Sequence, residues 1–355
     1  MKKLIFFARD LEIGGVERAL VNLCGALAEK HEVTLMLQET RGALLPELDG
    51  RVRVRRMPRC RLRFRPLRRA VNALLLGLWA LREAGAWDFA CAYCTDLLSG
   101  SRMARLASKN ACLCVHNDYS LIYPAEKDFR AFFRRLRASR FRRLLFVSRE
   151  SRAAFCARNP ELRGKTAVLG NLVGAERLRR LAARPCPLQR RAGETVLLYL
   201  GRLEEEQKRL SRLLEAFALA RRERPELRLL LVGEGPARAL CEGTIRARAL
   251  EEAVALPGAL TNPYPVLAAA DCLVLSSDYE GFPVVCYEAL ALGKDVISTV
   301  PVSDELVDLR DHGAICEKSA ASLAAAMLAY APHCCTPLDA ETLDRRRLEA
   351  WEALF

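Results

Sequence analysis

Short apolar segments recur along almost the whole chain, and stretches long enough for a helix separate them, among them Val16–Ala28 and Asp96–Ala107. Before residue 183 the predicted strands are Leu4–Ala8, Val33–Leu37, Phe89–Ala92, Ala111–Val115 and Leu144–Val147. After residue 194 they are Val196–Leu200, Leu229–Val232, Ala253–Leu256, Cys272–Leu275 and Val296–Ser298. Short strands that alternate with helices are typical of parallel sheets covered by helices on both faces. The sequence therefore predicts an α/β protein with doubly wound parallel sheets.

A polar segment, Ala183–Glu194, interrupts this alternation with two prolines, a glycine and several arginines, which is typical of a linker. The chain of 355 residues is also longer than one typical domain core allows. We therefore predict two Rossmann-like domains, at residues 1–185 and 193–338, and a final helix within residues 339–355. One large doubly wound sheet is the alternative interpretation.

The first residues imitate a signal peptide, because two lysines precede the apolar run Leu4–Ala8. Arg9, Asp10 and Glu12 end that run early, so a buried strand is the better interpretation. The longest apolar helix candidate, Val71–Leu81, is too short to span a bilayer. These features favour a cytoplasmic protein without a membrane span.

Fourteen cysteines raise the question of a disulfide or metal site. The suggestive spacings are Cys91-x-x-Cys94 and Cys112-x-Cys114-x-His116. Both lie in or beside predicted buried strands, where free cysteine is common, and the paired ligand pattern of a zinc site is absent. We therefore predict reduced thiols and no metal.

The segment from Asp278 to Glu288 contains the most informative motif. Glu280 and Glu288 bracket a turn in which Gly281 permits close approach of a ligand and Pro283 suits the start of a helix. Backbone N–H groups at a helix start can hold an anion. A ligand that carries both phosphate and hydroxyl groups would use all of these features, and a sugar nucleotide is such a ligand.

Four further motifs follow predicted strands, where ligands of open α/β sheets bind. They are Gly14-Gly15, Gly201-Arg202 with Lys208 six residues beyond Arg202, Gly233-Glu234-Gly235, and His116. Each motif also has an explanation without a ligand. A glycine pair is more often only a turn, and a lone histidine is usually structural. Acidic residues lie near Arg202 and Lys208, so these two cations also fit a solvated run of charged residues. Together, however, these loops supply glycines, cations, a histidine and carboxylates to two predicted sheets, which favours one anionic ligand.

These motifs resemble the retaining nucleotide-sugar glycosyltransferases of family four, which have the GT-B architecture. The matches are Gly14-Gly15-x-Glu17-Arg18, Gly201-Arg202-Leu203 with Lys208, Gly233-Glu234-Gly235, and Glu280-x7-Glu288 with Gly-Phe-Pro after the first glutamate. The resemblance covers nearly the whole chain. It implies a first domain that binds the acceptor, a second domain that binds the donor, and a final helix that packs back on the first domain.

The resemblance also implies roles for individual residues. Arg202 and Lys208 would hold the donor diphosphate, Glu288 the ribose hydroxyls and Glu280 the donor sugar, while His116 would lie near the reacting sugar. The implied catalytic residues are His116, Arg202, Lys208 and Glu280. The implied donor-binding residues are Gly14, Gly15, Gly201, Arg202, Lys208, Gly233, Glu234, Glu280, Gly281, Phe282, Pro283, Val284 and Glu288. Arg209 departs from the family, where a small residue is common, and could narrow the donor pocket.

The family implies a nucleoside-diphosphate sugar as co-substrate, with uridine as the expected base, a glycan or lipid-linked acceptor, and no cofactor or catalytic metal. The predicted function is sugar transfer in the assembly of a cell-surface polysaccharide or glycolipid. A sugar-nucleotide epimerase or phosphorylase of similar shape and an inactive scaffold are the alternatives within the fold.

The net charge of +13 favours an anionic partner. Arg51–Arg69 contains ten arginines and no acid, and Asp128–Arg143 contains seven arginines interleaved with aromatic residues. The second stretch is either a helix whose aromatic stripe packs on the core, or a surface that docks on anionic lipid. The docking hypothesis assigns membrane contact to Arg130, Phe133, Arg134 and Arg137, and places the protein at the inner face of the cell membrane.

A nucleic-acid-binding protein is the alternative of a different class. It would use the arginine-rich surface, but it leaves Glu280 and Glu288 without a role, and no standard nucleic-acid-binding module is visible. We therefore predict no nucleic-acid partner.

Overall fold

The computed structural model describes residues 1–187, 190–301, 303–304, 306–311, 313–332 and 336–355. The chain divides into two compact units: unit 1 contains Met1–Leu172 and Arg345–Phe355, and unit 2 contains Val173–Asp344. The sequence-based boundaries at residues 185, 193 and 339 stay predictions, and residues 188 and 189 of the predicted linker lie outside the described part.

Unit 1 contains a seven-stranded parallel sheet with the strand order β3-β2-β1-β4-β5-β6-β7. The strands are β1 Lys3–Ala8, β2 Glu32–Leu37, β3 Arg53–Arg56, β4 Phe89–Ala92, β5 Ala111–Val115, β6 Arg143–Phe146 and β7 Thr166–Val168. The helices are α1 Gly15–Leu27, α2 Arg65–Glu83, α3 Leu98–Ala107, α4 Tyr119–Ile122, α5 Glu126–Leu136 and α6 Arg149–Arg158. Short 3-10 turns cover Leu45–Glu47, Ala138–Arg140 and Pro160–Lys165. The chain order reverses between β1 and β4.

Unit 2 contains a second parallel sheet, with the strand order β10-β9-β8-β11-β12-β13. The strands are β8 Thr195–Leu200, β9 Leu227–Val232, β10 Val254–Gly258, β11 Cys272–Leu275, β12 Asp295–Ser298 and β13 Gly313–Ile315. The helices are α7 Ala175–Ala182, α8 Glu205–Lys208, α9 Leu210–Glu223, α10 Arg238–Ala247, α11 Tyr264–Ala269, α12 Val284–Ala291 and α13 Ala320–Ala329, and a 3-10 turn covers Leu309–Asp311. A last helix, α14 Ala340–Glu352, begins in unit 2 and ends in unit 1.

The predicted fold class is confirmed: each unit is a parallel sheet with helices, and the alternative of one large sheet is wrong. All ten predicted strands are present, with ends shifted by two residues at most. The sequence analysis missed β3, β7 and β13, which have only three or four residues each and lie at the sheet edges. β3 carries three arginines, so it lacks the apolar run by which the other strands were recognised.

Alternating side chains of β1 build two separate cores, one on each face of the sheet. Leu4, Phe6 and Ala8 belong to one hydrophobic cluster, whereas Ile5 and Phe7 belong to another. Successive side chains of a strand point to opposite faces, so helices must cover both sides. This explains why the strands are continuous apolar runs rather than alternating ones.

The chain terminus packs on the core of unit 1. The Trp351 ring lies 6.2 Å from Phe6 and 6.4 Å from Phe89, and the ring of Phe355 lies 4.7 Å from that of Phe89. The guanidinium of Arg347 is buried and donates to the carbonyl of Asn171 at 2.6 Å. The packing of these aromatic rings and the hydrogen bond from the buried Arg347 guanidinium therefore hold the last eleven residues on unit 1.

Among the described residues, the structure contains no helix long and apolar enough to cross a membrane.

Candidate functional site

The carboxyl ends of β8, β9 and β11 lie side by side in unit 2, because β8 is hydrogen-bonded to both of the other strands. Chain order reverses between β8 and β11, and open α/β sheets bind ligands outside such a reversal. Three loops leave these ends: residues 201–204, 233–237 and 276–283. All predicted site residues of unit 2 lie on these loops or on α8 and α12, which follow two of them.

The first two loops interlock through glycines. Gly233 has φ +152° and Gly235 has φ +156°, and a Cβ atom on either would overlap a backbone carbonyl, that of Gly201 or Leu203 respectively. The amide of Gly201 donates to Val232 at 3.0 Å, and the amide of Leu203 donates to the carbonyl of the intervening Glu234 at 2.9 Å. The two glycines thus permit close contact between backbones.

Replacement of Gly233 by alanine is expected to destabilise unit 2 by about 3 kcal/mol or more, because it combines an overlap with backbone and a strained φ. Gly243 is the matched control: it lies in α10, has open space around its Cβ position, and should gain about 0.5–1 kcal/mol as alanine. Chemical denaturation of both variants provides the measurement. Equal stability of the two proteins would contradict the interlocked loops.

Lys208 and Glu280 meet between α8 and the third loop. The Nζ of Lys208 lies 2.6 Å from Oε1 of Glu280, and the hydroxyl of Ser277 donates to the same oxygen at 2.6 Å. The side chain of Glu280 is 7% exposed and that of Lys208 is 21% exposed. An ammonium group has three donors, so Lys208 can hold this carboxylate and still donate to an anionic ligand.

Asp278 fastens the third loop to the start of α9, a role that the sequence analysis missed. Arg212 donates to its Oδ1 at 2.7 Å and Arg209 to its Oδ2. Burial favours a higher pKa for Asp278, but the hydrogen bonds from the two arginines outweigh it and hold the pKa below the ordinary value. Arg209, which raised the question of a narrower pocket, directs its guanidinium to this carboxylate. The sequence contained two signals for this contact: an aspartate two residues before Glu280, and two arginines three residues apart.

Backbone bonds complete the connection between α8 and the third loop. The amide of Asp278 donates to the carbonyl of Gln207 at 2.8 Å, and the side-chain amide of Gln207 donates to the carbonyl of Tyr279 at 3.0 Å. The hydroxyl of Ser276 donates to the carbonyl of Lys208 at 2.7 Å. The position of Lys208 relative to Glu280 is therefore set by several independent bonds.

Arg202 does not join this network. Its side chain is 67% exposed and pairs with Glu204 of its own loop. Glu234 is likewise half exposed and pairs with Arg238 at 2.6 Å. Of the two predicted diphosphate-binding cations, the structure connects Lys208 to the glutamate motif and leaves Arg202 in solvent.

Glu288 lies one turn and a half into α12 and is buried, with 6% of its surface exposed. The hydroxyl of Tyr264, the first residue of α11, donates to its Oε1 at 2.7 Å. The sequence analysis did not single out Tyr264, because a tyrosine in an ordinary helix start carries no signal of its partner. This bond orients the carboxylate.

The start of α12 differs from the prediction. Pro283 precedes the first helical residue instead of occupying it. The amide of Val284 donates to the carbonyl of Phe282 at 2.9 Å, and the amide of Cys286 donates to the carbonyl of Pro283 at 2.9 Å. Two of the N–H groups at the helix start are therefore bonded within the turn. The ring of Phe282 stacks on Tyr287 with centroids 4.3 Å apart, which fixes the turn that contains Gly281. The predicted anion-binding capacity of this helix start is correspondingly reduced.

The remaining predicted site residues belong to unit 1. Gly15 is the first residue of α1, and Gly14 precedes it with extended backbone. His116 directly follows β5 and is buried, with its ring centroid 4.5 Å from that of Tyr93. Among the described residues, neither ring nitrogen of His116 has a hydrogen-bond partner of good geometry. The backbone of Tyr93 has a smaller, opposite effect on the pKa of His116, because it favours the protonated ring. Burial lowers the pKa of His116 to about 4, so the imidazole is neutral near pH 7.

Protonation of His116 should destabilise the fold in acid. Because its folded pKa is about 4 and the unfolded value is 6.5, the unfolded chain binds the proton first as the pH falls from 6.5 towards 4. Wild-type protein should therefore lose about 2–3 kcal/mol more stability between pH 7.5 and 4.5 than a His116→Gln variant. Urea denaturation of both proteins at the two pH values measures this difference. If the wild-type protein and the variant lost the same amount of stability, His116 would not be held neutral in the folded protein.

The packing of helix α5 contradicts one of the four predicted membrane contacts. Phe133 is 3% exposed and packs against Phe129 and Phe155, with ring centroids 5.0 and 4.8 Å away. Its assignment to a membrane contact is wrong, because the aromatic stripe of α5 faces the core, as the alternative interpretation held. Arg130, Arg134 and Arg137 are exposed, and Arg130 pairs with Glu126 at 2.9 Å.

The described cysteines are free thiols, and most are buried. The Sγ atoms of Cys91 and Cys114 lie 3.4 Å apart, and burial raises the pKa of Cys91 well above its ordinary value. Within the described residues, the structure contains no group of three or more His, Cys, Asp or Glu side chains that could hold a metal ion.

Comparison with known proteins agrees with this architecture. The HepE protein of Anabaena, solved in complex with UDP and glucose, superposes with a TM-score of 0.71 at 17% identity, over 99% of this chain and 100% of that one. The solved structures to which this chain is similar include GT-B glycosyltransferases, and the fold of this chain is GT-B.

Two family models match successive parts of the chain: Glycosyltransferase Family 4 matches residues 13–177, and Glycosyl transferases group 1 matches residues 194–331. The chain belongs to the glycosyltransferases of the family-four type.

Two curated relatives match a shorter segment. An uncharacterised glycosyltransferase of Methanocaldococcus jannaschii is 32% identical over 39% of this chain and 34% of its own length. The N-acetylgalactosamine-N,N'-diacetylbacillosaminyl-diphospho-undecaprenol 4-alpha-N-acetylgalactosaminyltransferase of Campylobacter jejuni is 30% identical over 38% of this chain and 35% of its own length. The chain thus spans about a third of the length of the curated relatives it matches.

Proposed function

We propose that this protein transfers a sugar, with retained configuration, from a nucleoside diphosphate sugar to a hydroxyl group of a glycan or lipid-linked acceptor. The observation that carries the proposal is the Lys208–Glu280 pair, which lies at the chain-order reversal of unit 2, with Glu288 on the helix that follows. It combines a cation for phosphate with two carboxylates for hydroxyl groups in one connected element.

The donor is proposed to bind along the third loop of unit 2. Lys208 would hold the diphosphate as a point charge. Arg202, which is exposed and pairs with Glu204 of its own loop, would swing onto the diphosphate as well. Glu280 would accept hydrogen bonds from the sugar. The Glu288 carboxylate, oriented by Tyr264, would accept hydrogen bonds from the ribose. The UDP bound to the Anabaena structure supports uridine as the base.

Catalysis would come mainly from electrostatic stabilisation of the leaving group. As the bond to the sugar breaks, negative charge builds up on the departing diphosphate, and cations already held in position stabilise that charge. Lys208 is positioned before the donor arrives, because Glu280 and the connections between α8 and the third loop hold it. This positioning limits the rearrangement needed during the reaction.

These protein cations replace the metal ion that other nucleotide-sugar enzymes employ. Turnover should therefore be unchanged, within about twofold, after treatment with EDTA and dialysis into metal-free buffer. Activity that disappears with EDTA and returns with added Mg²⁺ or Mn²⁺ would contradict the proposal.

Unit 1 is proposed to bind the acceptor. The name of the Campylobacter relative describes transfer to a diphospho-undecaprenol-linked sugar, which supports a lipid-linked acceptor here. His116, neutral near pH 7, is proposed to contact the reacting sugar as a hydrogen-bonding group rather than as a cation.

The decisive experiment screens a panel of nucleoside diphosphate sugars by thermal shift and by slow hydrolysis of the donor, followed by lipid-diphosphate acceptors. A donor that stabilises the protein and is turned over supports the proposal. A crystal soaked with UDP should place the nucleotide against Lys208 and Glu288. Nucleotide bound away from both residues would overturn the assignment.

A further inference from the structure

Helix α2 exposes an apolar face that its own unit does not cover. Leu67, Leu74, Leu78 and Leu81 are 50%, 63%, 51% and 85% exposed. Their spacing puts them on one side of the helix. No charged residue occurs from Ala70 to Leu81, so about three turns of the exposed side carry no charge at all. We call these four leucines the α2 face.

The opposite side of α2 holds the helix in this orientation, although it is partly polar. Trp79 is buried against Phe7, with ring centroids 6.2 Å apart. The Oδ1 of Asn72 accepts from the amide of Cys60 at 2.6 Å, and Glu83 pairs with Arg55 at 2.8 Å. A surface helix normally turns its apolar side inward. Here Trp79 and the two polar anchors face inward, and a rotation that buried the four exposed leucines would break the contacts of all three.

Arginines surround the start of this helix. Arg63, Arg65, Arg68 and Arg69 form no salt bridge with any carboxylate of the described residues, whereas Arg59 and Arg61, slightly upstream, pair with Glu39. Two further exposed apolar side chains, Leu62 and Phe64, alternate with these arginines and are 40% and 67% exposed. Unpaired cations therefore lie next to uncovered apolar side chains on one continuous segment.

We propose that residues 62–81, which include the α2 face and these four arginines, form the surface by which the protein docks on an anionic lipid bilayer. The helix would lie in the plane of the interface, with its leucines among the acyl chains and its arginines at lipid phosphates. Amphipathic helices with basic and apolar surface bind membranes in this way. Each arginine near an anionic leaflet adds to the attraction.

Other partners fit the segment less well. A second copy of this chain would bring like charges together, and the net charge of +13 adds to that repulsion. A nucleic acid would use the arginines but leave the leucines in water. The basic surface of α5 has charge without exposed aromatic side chains, because Phe129 and Phe133 are buried. Of these three partners, only an anionic bilayer uses both the charge and the apolar area of residues 62–81.

Co-sedimentation with vesicles tests the proposal. Wild-type protein should bind phosphatidylcholine vesicles that contain phosphatidylglycerol, and bind pure phosphatidylcholine weakly. The variant Leu74→Gln/Leu78→Gln/Leu81→Gln should bind roughly tenfold less or weaker still. The variant Arg63→Gln/Arg65→Gln/Arg68→Gln/Arg69→Gln should lose about a hundredfold or more at low salt, at about fivefold per arginine. These positions are exposed or half-buried, so both variants should keep the wild-type circular dichroism spectrum.

Matched controls are available on other surfaces. Leu240→Gln replaces a leucine of α10 that is 43% exposed, and Arg134→Gln/Arg135→Gln/Arg137→Gln removes charge from the α5 surface. Both should bind vesicles within a few-fold of wild type. A Lys208→Ala variant should also bind normally, because docking does not depend on the proposed transfer reaction. Failure of the transferase proposal would therefore leave this result unchanged.

Three results would overturn the proposal. The first is vesicle binding that survives the leucine variant but is lost in the α5 variant. The second is salt-sensitive RNA binding that the four arginines control, without vesicle binding. The third is a wild-type dimer in sedimentation velocity that the leucine variant converts to monomer.

Discussion

Replacement of Lys208 by alanine is expected to lower the turnover number a hundredfold or more, and Arg202→Ala should have an effect of the same order. Each variant removes a cation proposed to stabilise the departing diphosphate, and loss of one such donor typically costs about 10²–10³ in rate. Turnover is measured as release of nucleoside diphosphate from the donor that the screening panel identifies.

The two variants should differ in stability. Arg202 is exposed and, among the residues that the structure describes, pairs only with Glu204 of its own loop, so its loss should change the free energy of unfolding by less than about 1 kcal/mol. Lys208→Ala leaves the buried Glu280 carboxylate without its cation and should cost a few kcal/mol. Adding Glu280→Gln to Lys208→Ala should recover most of this stability without recovering turnover.

Arg222, an exposed arginine of α9 in the same unit, supplies the matched control. Its alanine variant should keep both stability and turnover. Near-normal turnover of Arg202→Ala and Lys208→Ala would refute their role at the diphosphate. The four variants are Arg202→Ala, Lys208→Ala, Lys208→Ala with Glu280→Gln, and Arg222→Ala. If their turnover fell in proportion to their loss of stability, Lys208 would have a structural role only.

Substitution of Glu288 by glutamine should weaken nucleotide binding roughly tenfold to a hundredfold. A hydrogen bond to a charged group contributes about 1.5–3 kcal/mol, and glutamine removes the charge while it keeps an oxygen for the Tyr264 hydroxyl. Calorimetric titration with UDP, or with the nucleotide selected by the panel, measures the dissociation constant.

Glu215, an exposed glutamate of α9, is the control for this experiment. Glu215→Gln should leave the dissociation constant unchanged. Tyr264→Phe should weaken binding less than Glu288→Gln does, because it frees the carboxylate but leaves its charge in place. Unchanged affinity in the Glu288 variant would remove this residue from the donor site.

Much of the candidate site could be located in the sequence because its residues form local patterns. Glu280, Gly281, Pro283 and Glu288 lie within nine residues, and strand ends identified the loop that carries Gly233 and the segment that leads from Gly201 to Lys208. The partners of these residues could not be predicted in the same way. Tyr264 is 24 residues from Glu288 and the pair of Arg212 and Asp278 is separated by 66, and no periodicity connects residues at such distances.

The proposed docking surface shows a second limit of prediction from the sequence. Both α2 and α5 combine apolar and basic residues in sequence, and the aromatic spacing of α5 suggested the stronger amphipathic helix. Only packing distinguishes them, since aromatic side chains of α5 fill the core of unit 1 while the four leucines of the α2 face remain exposed. Hydrophobic periodicity indicates that a helix has an apolar side, but not what covers that side.

The sequence by itself determined the α/β class, the two parallel sheets and the loops that carry the glutamate motif, because strand length, helix length and turn residues are local properties of the chain. Tertiary structure decided which charges pair, which carboxylate is buried and which apolar side stays uncovered. Those outcomes depend on distances between residues far apart in sequence. They also depend on how much water each group loses, which the order of residues alone does not specify.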